Sequence, residues 1–316
     1  MQADWQRRLP ALGLGALMAL VPAAALAHGS SQAPSVRTLW TWELDHYALV
    51  PAVVAAALYM WLVARVNALH PGTLVPRRRS VAFFLAIGAF LLAVASPIAV
   101  YDDDLFSAHM VQHMLLVFAV PPLLLFSAPV TLLLRAVQPE TRRQWLLPFL
   151  HSRALEILPF PVLTWLAFVI TLWGTHFTPL YDEAAQNLWV HRLEHFLYLG
   201  TALLFWWPIV HVDPGPWRIP HPARILYLAL AMAQLIFFSL VLVSANSPLY
   251  SSYEATDRTW GPSALTDQQA GASLMWVMGA MVFVGGILLV AYDMMRTEER
   301  VTERRERREA AIRGDD

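Results

Sequence analysis

The stretch LFSAHMVQHMLLVFAVPPLLLF, residues 105–126, contains no Asp, Glu, Lys or Arg. About 20 apolar residues rising 1.5 Å each cross the ~30 Å hydrocarbon core of a bilayer, so the stretch reads as a membrane-crossing helix. It nevertheless carries His109 and His113, four residues apart, and ionisable groups are costly at that depth. Pro121-Pro122 and then Pro129 predict a kink or break, because proline removes a helix hydrogen bond and crowds the preceding turn.

Six further stretches reach a similar length: roughly 46–66, 81–100, 158–176, 188–210, 224–245 and 271–292. Runs this long and unalternating do not suit barrel strands, whereas a helix satisfies every backbone polar group internally. The expectation is an all-α membrane protein, a bundle of seven transmembrane helices. Composition agrees: the 316 residues are 57% hydrophobic and 14% charged, against about 25% charged in a soluble domain.

Residues 1–27 show Arg7 and Arg8, an apolar run and then Ala25-Leu26-Ala27, the pattern of a secretory signal peptide, cleaved after Ala27 or kept as an anchor. The expected order is then a periplasmic amino-terminal segment at 28–45, the seven-helix domain at 46–295 and a charged cytoplasmic tail at 296–316. Every basic residue is Arg. Arg77, Arg78, Arg79, Arg135, Arg142, Arg143 and the tail arginines fall in alternate loops, while Asp102, Asp103, Asp104, Asp182, Glu183 and Glu254 fall in the others. The positive-inside rule places the amino terminus outside and the tail in the cytoplasm, where the tail can touch anionic lipid. A net charge of −1 argues against nucleic acid as a partner. The absence of cysteine excludes disulfides, thiolate metal sites and thiol catalysis.

Topology sorts the eleven histidines. His70, His151, His211 and His221 fall in cytoplasmic loops and read as solvated. His46, His109, His113, His176, His191 and His195 all fall at the outer ends of their helices. HMVQH and HRLEH each place two imidazoles on one helical face, and two such helices can direct four ring nitrogens at one ion at about 2.0–2.1 Å. His109, His113, His191 and His195 are therefore the expected metal ligands, with His46 and His176 as additions. Gln112, Glu194 and Tyr198 extend the polar stripes, Glu194 as an acceptor that orients an imidazole. Met110, Met275 and Met278 are thioether candidates, which suit Cu(I), and Asp267 lies just before the last two. His28 would become the amino terminus after cleavage and could chelate Cu(II). The acidic outer loop would attract cations. Trp206-Trp207 suit an interfacial aromatic belt.

HRLEH also matches the H-x-x-E-H zinc-protease pattern, with Glu194 as general base, so a zinc-dependent intramembrane hydrolase is the enzymatic alternative. A metal-free membrane scaffold is a third reading. Taken in order, HMVQHMLL with the following PPLLLFSAPVTLLLRA, then HRLEHFLYLGTALLFWWPIV, then DQQAGASLMWVMG, resemble the CtaG family of bacterial cytochrome c oxidase assembly factors, the seven-helix kind. The likeness covers roughly residues 40 to 295. It implies a non-enzymatic metallochaperone that places copper in the catalytic subunit of the oxidase, served by a periplasmic copper donor, with the paired histidines and the segment from Asp267 to Trp276 as its motifs.

Overall fold

A computed structural model describes residue 42, residues 46–254 and residues 259–313. The expected signal peptide, His28 and nearly all of segment 28–45 lie outside the described residues. Among the described residues the chain is all-helical. Six helices are long and apolar enough to cross a membrane: α1 (His46–Leu69), α2 (Arg77–Tyr101), α3 (Phe106–Ala136), α5 (Leu188–Val210), α6 (His221–Val243) and α7, whose apolar part opens the helix Ala264–Arg313. The seventh expected segment, 158–176, forms only the 16-residue helix α4 (Pro161–His176). Its start is set by Pro161, which is tolerated in a first turn and cannot be reached by a helix running through Pro159.

α3 is the centre of the bundle and packs against α2, α5 and α7. Half of its apolar window is buried, against 22% for α1 and for α7. The expected break is present and has two parts. A π-turn occupies Leu115–Ala119, directly before Pro121. Further on, Ala128 adopts a left-handed conformation at φ 58° ahead of Pro129. Asp213 stabilises the second break from the loop after α5, accepting from the backbone N–H of Val130 at 3.1 Å and of Thr131 at 2.7 Å. Those are amide groups that the restarted helix cannot satisfy itself.

Phe106, Phe118, Phe168, Phe205, Leu235 and Phe283 fill the interior between α3, α4, α5, α6 and α7. Val53, Met60, Ile170, Phe196 and Leu289 stay exposed on the outer faces, as expected of helices solvated by lipid, where close packing and not expulsion of water holds them together. The last helix extends well past the apolar stretch at 271–292. It runs unbroken to Arg313, so the charged tail from residue 296 continues α7 and is exposed throughout its described side chains.

Candidate metal centre

The i,i+4 spacing does on each helix what helical geometry requires. His109 and His113 on α3 have ring centroids 4.2 Å apart, and His191 and His195 on α5 have theirs 4.4 Å apart. The two helices face each other through these rings, with His109 to His191 at 5.6 Å and His113 to His195 at 5.9 Å. His176, the last residue of α4, adds a fifth ring 6.1 Å from His113. Asn187 starts α5 by accepting from Trp189 N–H at 3.0 Å, which sets the depth at which its histidines begin.

The donors are not equivalent. Gln112 donates its amide N–H to the Ala93 carbonyl at 3.0 Å, which turns its side-chain oxygen toward His195 Nε2 at 2.9 Å. His195 Nε2 must then carry the proton, because two acceptors would repel there. His191 Nε2 sits 3.1 Å from that same nitrogen. While Gln112 keeps this orientation, the Nε2 lone pair of His195 is not available to an ion, which leaves Nδ1 as its possible donor.

Two carboxylates enter the cluster. Glu194 Oε2 lies 3.9 Å from His109 Nε2, and Asp102 Oδ2 lies 3.7 Å from His191 Nε2. Ligand atoms of His109, His113 and Glu194 come within 4.8 Å of one another, and so do those of Asp102, His109 and His191. Donors about 2.1 Å from one ion can be at most about 4.2 Å apart, so each group needs only a small contraction to coordinate. His109 Nε2, both ring nitrogens of His113 and both oxygens of Glu194 are buried without a hydrogen-bond partner. Interior polar groups are ordinarily paired, so an unpaired set this concentrated marks the candidate site.

The remaining expected residues divide. His176 Nδ1 is 3.0 Å from the Leu172 carbonyl and 3.0 Å from the Tyr198 hydroxyl. This leaves its buried Nε2 unpartnered, facing a small void that His113 and Met275 also line. Tyr198 is therefore the group that holds His176. Met110 and Met275 are both buried in the apolar core and Met278 is half exposed, and Met275 lines the small void with His113 and His176. Asp267 accepts from Ser107 Oγ at 2.6 Å and ties α7 to the first turn of α3. Beside it, Gln268 holds the loop after α6 by accepting from Leu249 N–H at 2.8 Å and donating to the Leu242 carbonyl at 3.1 Å. His46 is exposed and packs against Tyr47. At the arginine-rich end, His70, His151 and His221 make their own local contacts, while His211, expected to be solvated, is half-buried.

Two features have no counterpart in the sequence reading. Asp102 is buried at 3% exposure and is a potential ligand, not merely part of an attractive acidic loop. An aromatic cap of Phe106, Tyr181, Tyr250 and Tyr253 lies against the outer side of the cluster. Tyr253 donates to the Asp102 carbonyl at 2.8 Å. Burial, then the neighbouring Tyr253 phenol, push the Tyr181 hydroxyl well above the usual range, so it stays neutral. To one side opens a cleft of about 330 Å³, lined by Tyr47, Asp102, Asp103, Gln112, His191, Arg192, His195 and several apolar side chains.

A model of the cytochrome c oxidase caa3 assembly factor family matches residues 57–297, a region that encloses every member of the cluster. The chain belongs to that family. Curated proteins of Mycobacterium bovis and Mycobacterium leprae, both described only as uncharacterized, are 30% identical over 284 and 288 residues. The matches cover 87% and 89% of this chain but 43% of each relative. The chain thus spans less than half the length of these relatives. No solved structure matches it.

Proposed function

We propose that this caa3-type assembly factor binds copper as cargo at the cluster of His109, His113, His191, Glu194 and Asp102 and assists its insertion into the catalytic subunit of the oxidase. The observation that carries this reading is the concentration of buried, unpartnered nitrogen and oxygen donors around His109. Imidazole and carboxylate suit a divalent ion, and thioether suits Cu(I), so Met275 beside His113 and His176 is the natural place for a reduced ion. In this reading α4 completes a seven-helix bundle in the plasma membrane. The arginine asymmetry turns the cluster toward the periplasm, where a copper donor and the oxidase subunit would meet it.

The role is that of a chaperone and not an enzyme. Glu194 is buried among potential ligands, and the cleft opens on the His191 side without being lined by the carboxylate that a hydrolase would use as its base. Glu194→Gln separates the readings, since it abolishes a zinc hydrolase and leaves a chaperone able to take up copper. Metal analysis of the purified protein is the primary test. Copper bound by the wild type and lost on combined His109→Ala and His191→Ala substitution, with the protein still accumulating, supports the proposal. Equal copper in the two proteins would mean that these histidines do not hold it, and none in either favours a metal-free scaffold.

A further inference from the structure

We infer that the cluster offers one divalent ion two overlapping positions that share His109, an outer one loaded from the lateral cleft and an inner one closed to it. This rests on the metal-binding reading above and adds a route to it. His109 belongs to both potential ligand groups, with Asp102 and His191 in one and with His113 and Glu194 in the other. The cleft reaches Asp102 and His191, and its lining among the described residues does not include His109, His113 or Glu194. The inner donors are buried, and Glu194, His113 and His109 Nε2 have no hydrogen-bond partner.

The transfer is a ligand exchange between ionised carboxylates and neutral imidazoles, with no change of oxidation state. As the ion moves inward it loses one carboxylate oxygen (Asp102) and one imidazole nitrogen (His191), and it gains one carboxylate oxygen (Glu194) and one imidazole nitrogen (His113). His109 stays bound, so the ion never loses all its ligands in a low-dielectric region where a bare charge is prohibitive. Each position sets two neutral imidazoles and one carboxylate around the ion, so the charge of the site is the same before and after. A neutral imidazole has a single lone-pair nitrogen, and His109 therefore cannot serve two ions at once. The positions are alternatives, not a binuclear centre.

The test uses the full-length protein in detergent with Cu(II) alone. The wild type should bind one ion per chain, and its uptake should show two phases, the first faster at higher copper concentration and the second independent of it. Asp102→Asn should keep the wild-type paramagnetic resonance spectrum while slowing uptake by roughly tenfold or more, on the scale by which losing one supporting group weakens a metal site. Glu194→Gln should strand the ion in the outer position, with an altered spectrum and release to a chelator faster by a similar factor. Two ions per chain, a single concentration-dependent phase in the wild type, or identical kinetic effects of the two substitutions would overturn the two-position route while leaving copper binding intact. Failure of the wild type to bind Cu(II) removes the metal-binding reading itself.

Discussion

Trp206 donates its indole N–H to the backbone carbonyl of Val117 at 2.9 Å. That carbonyl has no partner within its own helix: Pro121 lacks the N–H of the α-helical bond, and Pro122 lacks that of the π-turn alternative. Away from water an orphaned carbonyl costs several kcal/mol, and the indole from α5 supplies the missing donor. The irregular turn lies one turn beyond His113, so the same contact locks the register in which α3 presents its histidines to α5. Trp206→Phe keeps the packing and removes the donor. It should destabilise the protein by about 1–3 kcal/mol, the usual effect of leaving such a group unpaired, measured as a lowered midpoint of thermal unfolding in detergent.

α7 approaches α3 at Gly271, where an added Cβ would lie 2.6 Å from Phe106 Cδ1 and 3.0 Å from the Ser107 backbone. The backbone atom cannot swing aside as a flexible side chain could. Gly271→Ala should therefore cost about 1–3 kcal/mol by overpacking and displace the turn that carries His109, seen together as a lower unfolding temperature and weaker copper retention.

Much of this architecture is legible in residue order, and the exceptions have physical causes. Apolar length reveals the long helices, and i,i+4 spacing puts each histidine pair on one face because helix geometry leaves no alternative. The rotation of each helix about its axis is what spacing does not reveal. α1 is apolar on every side, so nothing local says that His46 turns outward while His109 turns in. Asp102 belongs to an acidic turn whose neighbours look equivalent in sequence, and only the fold of that turn over α3 brings it to His191. Trp206-Trp207 read as a belt because aromatic pairs near helix ends commonly are one, and the need that draws Trp206 inside arises from prolines on another helix. α4 is shorter than its apolar run because Pro161 fixes its start.

Gln112 is expected to matter through His195. Replacing it with Leu removes the acceptor that holds the His195 proton and frees that ring to turn from His191. Copper affinity should fall by roughly 10–100-fold, as losses of supporting hydrogen bonds do at other metal sites, and the metal-free protein should lose about 1–3 kcal/mol because the buried Ala93 carbonyl loses its donor. Titration against a competing chelator measures the affinity.

His211 gives the protein a defined sensitivity to acid. It ends α5 in a left-handed conformation at φ 54°, and burial, then Arg224 and Arg218, push its pKa down to about 4. The unfolded chain takes up that proton near 6.5. Between about pH 6.5 and 4 the unfolded state binds more protons, so stability falls as pH drops, and above 6.5 the group has no effect. Asn tolerates the left-handed conformation without titrating. His211→Asn should raise the unfolding temperature relative to wild type at pH 5 and leave it unchanged at pH 8.

The most direct measurement is the copper content of the oxidase purified from cells whose only copy of this chain carries His109→Ala and His191→Ala, with its accumulation checked by immunoblot. The catalytic subunit should be made and reach the membrane but contain much less copper, with activity falling in step. A fully loaded, fully active oxidase in the presence of the accumulated variant would contradict it.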